Sequence, residues 1–235
     1  MNKHIIGVLG GMGPQASNEL YRLLIEGARM NFGAKHNDEF PEILIDSVPV
    51  PDGFSHPEQM ELVATMLEDR VKRMTLYGVT TISLACNTVC IYKDRLQEKT
   101  PIEVLSTVEE VVKAVATNHK NVLLLSSSTS LKLRLYQQAF DEVGIQYAIP
   151  DSDDYPDIDQ IISGVLSGES REFLTHNIVK LTQKLLYKTQ VDAVVLGCTE
   201  MPLIFPNEFV IPVYSSLSVL AERLLKRYYC RKENI

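Results

Sequence analysis

Short apolar runs alternate with amphipathic helical stretches along this chain, which predicts an α/β fold with parallel sheets covered by helices on both faces. The order also repeats. Strand, helix, strand, helix and a strand ending in cysteine occur in residues 3–90 and again, roughly, in 121–200. The repeat predicts two pseudo-symmetric domains, each a parallel sheet flanked by helices: residues 1–104 joined by 208–235, and residues 105–207. Ligands of parallel sheets bind beyond the carboxyl ends of the strands. Clefts between domains are preferred ligand sites. The expected site therefore lies in the interdomain cleft, with one cysteine strand on each side.

The first apolar run, residues 3–9, ends in Gly10-Gly11-Met12-Gly13-Pro14. From Ala16 the residues Leu20, Leu23, Leu24 and Ala28 take helical spacing. Strand, glycine turn and helix open a βαβ unit. Glu42 to Ser47 reads as the second strand. Pro49, Pro51 and Gly53 make Val48 to Pro57 an irregular loop. Residues 58–77 put Met60, Val63, Ala64, Leu67, Val71 and Met74 on one helical face. Thr81 to Cys86 is then a buried strand running into the turn Asn87-Thr88. A short helix after Tyr92 as far as Glu98, an extended stretch from Pro101 to Val104 and a helix from Thr107 to Thr117 follow. Asn121 to Leu125 is a strand closed by Ser126-Ser127-Ser128-Thr129-Ser130. A helix over 131–143, a strand over 145–148, the polar turn Asp151 to Asp154 and helices over 156–167 and 170–188 lead to the second cysteine strand, Val194 to Cys198. Ile211 to Val213 is one more short strand, and a helix from Ser216 to Tyr229 closes the chain.

Composition excludes several functions. With 45% hydrophobic and 23% charged residues the chain has enough apolar material for a core. A net charge of -7 and no Lys/Arg-rich run argue against nucleic acid and against a membrane surface. No apolar run is long enough to span a membrane. There is no signal-peptide pattern, and four cysteines are too few for a disulfide scaffold, so a cytoplasmic location with reduced thiols is expected.

The chemistry centres on Cys86 and Cys198. The thiolate is the reactive form of cysteine, and backbone N–H groups or helix starts lower its pKa. Cys86 precedes Asn87 and Thr88, and Cys198 precedes Thr199, side chains that donate hydrogen bonds to a carboxylate. A lone cysteine at a strand end usually just packs, but the same context in both halves points to function. Met12 and Gly13 lie in a turn that fits a dinucleotide pattern whose acidic partner is misplaced; a turn that brings N–H groups to a small anion explains the glycines equally well, and the bland reading is a simple tight turn. Ser127, Ser128 and Thr129 offer hydroxyls at the same sheet edge, or merely cap the next helix. Zinc is not expected: Cys86 and Cys90 have the wrong spacing, and His4, His36, His56, His119 and His176 are scattered.

These residues together resemble the aspartate/glutamate racemase superfamily, the cofactor-independent racemases with two cysteines. The carriers are Ile6 to Pro14, Ala85-Cys86-Asn87-Thr88, the Ser/Thr turn at 126–130, and Leu196-Gly197-Cys198-Thr199-Glu200-Met201-Pro202-Leu203. The resemblance implies an amino-acid racemase acting on a small-molecule amino-acid substrate. It needs no pyridoxal phosphate, other cofactor or metal, and is expected to be a homodimer. Three positions depart from the family pattern. Cys90 stands where His is common, Pro51-Asp52-Gly53 carries no Arg, and Leu166-Ser167-Gly168 carries no Lys. The missing cations bear on a side-chain carboxylate.

Inverting Cα means removing a proton from one face and returning one to the other. Cysteine is available as thiolate or thiol near neutral pH. Cys86 and Cys198 are the expected opposed pair, with Asn87, Thr88, Ser128 and Thr199 holding the α-carboxylate and stabilising enolate-like charge. Glu200 orients the ammonium or a thiol, or caps the following turn. The alternatives are a two-cysteine isomerase, decarboxylase or hydantoin racemase on the same fold, and a non-catalytic small-acid binding protein.

Overall fold

The computed structural model describes residues 4–51 and 56–232. Asp52 and Gly53 of the proline-rich loop lie outside the described residues. The chain divides into two compact units, residues 1–107 with 220–235, and residues 108–219. Each unit is built on a four-stranded parallel sheet, as the alternation of elements predicts.

The first sheet has the order β2-β1-β3-β4, from β1 (Ile5–Gly10), β2 (Glu42–Ser47), β3 (Thr81–Leu84) and β4 (Val104–Leu105). Every neighbouring pair is parallel. Helix α1 (Pro14–Phe32) links β1 to β2, and α2 (Met60–Tyr77) links β2 to β3. All six residues of β1 are buried, as in a strand covered on both faces. One core joins Leu9, Ile82 and Leu84 to Val63, Leu67, Val71 and Met74 of α2, and Cys86 sits at its margin. A 3₁₀ turn, Thr88–Tyr92, and α3 (Lys93–Gln97) carry the chain to β4, and α4 (Thr107–Ala116) follows.

The second sheet repeats the topology as β6-β5-β7-β8, from β5 (Asn121–Leu125), β6 (Gln146–Ala148), β7 (Ala193–Leu196) and β8 (Val213–Ser215). Between β5 and β6 run α5 (Ser128–Lys132) and α6 (Leu135–Val143). Between β6 and β7 run α7 (Tyr155–Ser167) and α8 (Arg171–Lys188). Leu123, Leu125, Val194 and Leu196 pack on Ile158, Ile161, Leu174, Ile178 and Leu181, with Cys198 at the margin. After β7 come α9 (Met201–Ile204), β8 and α10 (Ser216–Lys232).

The register makes the repeat exact at the residue level around the cysteines. Leu9 pairs with Leu84, and Leu125 with Leu196, so Cys86 and Cys198 occupy equivalent places two residues beyond. Ser83 pairs with Leu105, and Val195 with Tyr214, which makes Thr107 and Ser216 equivalent; they begin α4 and α10.

Several boundaries differ from the expected ones. Helix α1 starts at Pro14 rather than Ala16, because the fixed φ of proline suits the first turn. The helix expected over 131–143 is two helices. Ser127 starts the first one early by capping it, and Arg134 at φ 56 ends its continuation in a left-handed residue. The last strand is Val213–Ser215, not 211–213, because Pro212 has no N–H for the ladder; its carbonyl instead accepts from Val194. That strand pairs with β7, which places it in the second unit, whereas the sequence grouped 208–235 with the first domain. Residues 58 and 59 belong to a 3₁₀ turn ahead of α2.

On the outer face of the first unit, Arg95 bridges Glu61, at 2.6 and 2.7 Å, and Glu68. Hydrogen bonding to the guanidinium holds both carboxyls below their ordinary value. Groups whose pKa falls on folding add stability above the unfolded value and lose it as pH falls through the folded one. The melting temperature of the wild type should therefore fall more steeply than that of Arg95→Gln as pH drops from about 5 to about 3. Parallel acid limbs in a thermal-melt series would contradict this.

Candidate active site

Two turns leave the carboxyl edge of each sheet side by side. In the first unit these follow β1 and β3. Gly11 takes φ 92, and a Cβ there would stand 2.4 Å from the Val48 nitrogen, so only glycine fits. The Gly11 N–H donates to Ser17 Oγ at 2.9 Å, and that hydroxyl donates to the Gly13 carbonyl at 3.3 Å. Ser17 thus braces the turn that holds Met12 and Gly13. Beyond β3, Cys86 is 9% exposed and Asn87 3%. Both polar atoms of the Asn87 side chain are buried without a hydrogen-bond partner among the described residues. Leaving such a group unpaired costs roughly 1–3 kcal/mol, a cost that a polar ligand would offset. Thr88 is half-buried at the start of the 3₁₀ turn. The Cys90 thiol, one turn on, donates to the Cys86 carbonyl at 3.5 Å.

In the second unit the turns follow β5 and β7. The Cys198 thiol and the Thr199 hydroxyl both donate to Oε2 of Glu200, each at 3.0 Å. All three residues are buried. A carboxylate in this position can receive the proton of the Cys198 thiol and return it, which is the first requirement of an acid/base cysteine. Its counterpart in the first unit is Thr88, so the repeat breaks here. At Gly197, before Cys198, a Cβ would lie 2.8 Å from Leu124 Cδ1 and 3.0 Å from Tyr136 Cε2, so a larger residue would push these buried side chains aside.

The Ser/Thr turn is divided between scaffold and site. Ser127 Oγ accepts from the Ser130 N–H at 3.2 Å and caps α5. The Ser128 hydroxyl donates to Asp159 Oδ2 at 2.5 Å, and its N–H to Oδ1 at 3.0 Å. Asp159 stands 31 residues away on α7, and no sequence signal marked it. Thr129 is half-buried. Helix α9 also went unread, although Pro202 near its start is a helix-start signal. Among the described residues no group of three His, Cys, Asp or Glu is placed to hold a metal ion. No helix among the described residues is long and apolar enough to cross a membrane.

The Asp/Glu/hydantoin racemase family model matches residues 9–224, and this span includes both cysteine turns. The chain belongs to that family. Its similarity to the broad specificity amino-acid racemase RacX of Bacillus subtilis (strain 168) is 24% identity over 231 residues, covering 95% of this chain and 98% of that one. The glutamate racemase of Bacillus cereus matches at 21% over 153 residues, 64% of this racemase-family chain and 55% of the relative. Among solved structures, an aspartate racemase homologue from Pyrococcus horikoshii OT3 superposes with a TM-score of 0.80 at 25% identity, covering 97% of this chain and 100% of the other. The Picrophilus torridus aspartate racemase gives 0.82 at 25%, covering 96% and 94%. The two Bacillus relatives and the Picrophilus protein are amino-acid racemases, which are isomerases.

Proposed function

We propose that this chain is a cofactor-independent amino-acid racemase in which Cys86 and Cys198 exchange the Cα proton on opposite faces of the substrate. The single observation that carries this reading is the Cys198–Glu200 contact at 3.0 Å, at a strand end whose equivalent in the first sheet carries Cys86. For one enantiomer a thiolate removes the Cα proton, the electron pair moves into the α-carboxylate as an enolate, and the opposite thiol protonates the other face. For the other enantiomer the roles reverse. The reaction leaves one thiolate and one thiol, as it began. Glu200 shuttles the Cys198 proton while the Thr199 hydroxyl holds its carboxylate, and the unpaired Asn87 amide receives the substrate carboxylate with Thr88.

The substrate side chain is neutral. The sequence has Leu166 where the family pattern has Lys, and no Arg lies in Pro51-Asp52-Gly53. Each charge-assisted hydrogen bond lost is worth about 1.5–3 kcal/mol. The similarity to a relative named for broad specificity supports a range of substrates over a single one.

A panel of L- and D-amino acids in deuterium oxide, followed by NMR, tests this. Neutral amino acids should lose the Cα proton signal and approach a racemic mixture. Exclusive turnover of aspartate would overturn the substrate assignment. Release of carbon dioxide would indicate a decarboxylase, and saturable binding without exchange a binding protein; either would overturn the reaction.

A further inference from the structure

Both cysteine turns are tied down by a fully buried hydroxyl from a neighbouring strand end. In the first unit Thr107 donates Oγ1 to the Leu84 carbonyl at 2.5 Å, two residues before Cys86. In the second, Ser126 donates Oγ to the Gly197 carbonyl at 2.7 Å, immediately before Cys198. The Gly197 N–H is held as well, by the Leu125 carbonyl at 2.6 Å.

These two clamps are not copies of one another. Thr107 follows β4, on one side of the cysteine strand β3. Ser126 follows β5, on the opposite side of the cysteine strand β7. The position equivalent to Thr107 is Ser216, whose buried hydroxyl has no hydrogen-bond partner among the described residues. The position equivalent to Ser126 is Gly10, which has no side chain to offer. Each unit therefore carries one clamp, on opposite flanks of equivalent strands.

A hydrogen bond to a carbonyl fixes the plane of its peptide. Only Ala85 separates the fixed Leu84 carbonyl from Cys86, and nothing separates Gly197 from Cys198. Those planes hold the backbone from which each Sγ projects. We infer that Thr107 and Ser126 are positioning residues, Thr107 for the Cys86 thiol and Ser126 for the Cys198 thiol. Its catalytic consequence rests on the racemase reading, while its geometry does not. Proton transfer needs the reacting atoms aligned at about 3–3.5 Å, and a misplacement of about 1 Å can cost roughly 100-fold in rate.

The test measures iodoacetamide alkylation of each thiol in the folded protein by mass spectrometry, alongside racemisation kinetics and melting temperature. Thr107→Val keeps the side-chain shape and loses the donor. It should raise the alkylation rate of Cys86 about five-fold with Cys198 unchanged, and lower kcat about 10-fold with KM within about two-fold. Ser126→Ala should do the reverse to the thiols, with a similar fall in kcat. Thr107→Ser restores the donor and both wild-type values. Ser216→Ala, which removes a hydroxyl with nothing to hold, leaves both unchanged.

The inference is overturned if Thr107→Val and Ser126→Ala leave alkylation and kcat as in the wild type. It is also overturned if each variant affects both thiols alike with a lowered melting temperature, which is general loosening. Should the wild type turn over no amino acid, the racemase reading fails, and the selectivity of alkylation alone decides the positioning.

Discussion

Cys86→Ser and Cys198→Ser should each reduce racemisation by at least about 10³-fold, because a serine hydroxyl supplies almost no base form near neutral pH. Each thiol sits at the margin of a core and is 9% exposed, so a hydroxyl of similar size leaves the packing in place. Ligand binding and melting temperature should stay near those of the wild type. The two variants should differ in what survives. With Cys198 gone, a Cys86 thiolate still abstracts the Cα proton that faces it and returns deuterium to the same face. That variant exchanges one enantiomer with retention, and Cys86→Ser exchanges the other. Cys90→Ser and Cys230→Ser are the comparison. Cys90 donates to the Cys86 carbonyl, and Cys230 lies exposed on α10. Both variants should keep turning over. A dead Cys90→Ser beside an active Cys86→Ser would move the role to Cys90 and remove the basis of the opposed pair.

Glu200→Gln should lower kcat by roughly 100-fold, with KM changed far less. The amide oxygen can still accept from the Thr199 hydroxyl and the Cys198 thiol, so the turn keeps its shape. What is lost is a carboxylate that takes and returns a proton. Glu200→Asp keeps the charge on a shorter arm and should fall between the two. Steady-state kinetics in both directions would check this. A Glu200→Gln variant with wild-type kcat would make Glu200 a turn-forming residue only, and would leave Cys198 to find its base elsewhere.

Most strands, long helices such as α2 and α8, and the two cysteine positions were legible in the sequence for a local reason. A buried parallel strand is a continuous apolar run, and a helix against a sheet shows its period within one stretch. The glycine turn was equally local, since the φ of Gly11 is a property of one residue type. Motif and spacing also pointed to Glu200, though only as one of several roles for a residue two beyond a cysteine. Arg134 did not announce the break between α5 and α6, because a left-handed non-glycine residue is held by its neighbours, not by its own preference.

Residue types and their order were enough for the α/β class, the duplicated plan and a pair of strand-end thiols. Contacts between residues far apart in the chain decided the rest. Asp159 claims the Ser128 hydroxyl across 31 residues, and Ser126 reaches Gly197 across 71. Thr107 reaches Leu84 while its equivalent Ser216 reaches nothing described. A hydroxyl in a sequence is a donor without an address. Only when the strands are laid in register does burial remove water as the alternative partner, and then one carbonyl, one carboxylate or one ligand must take its place.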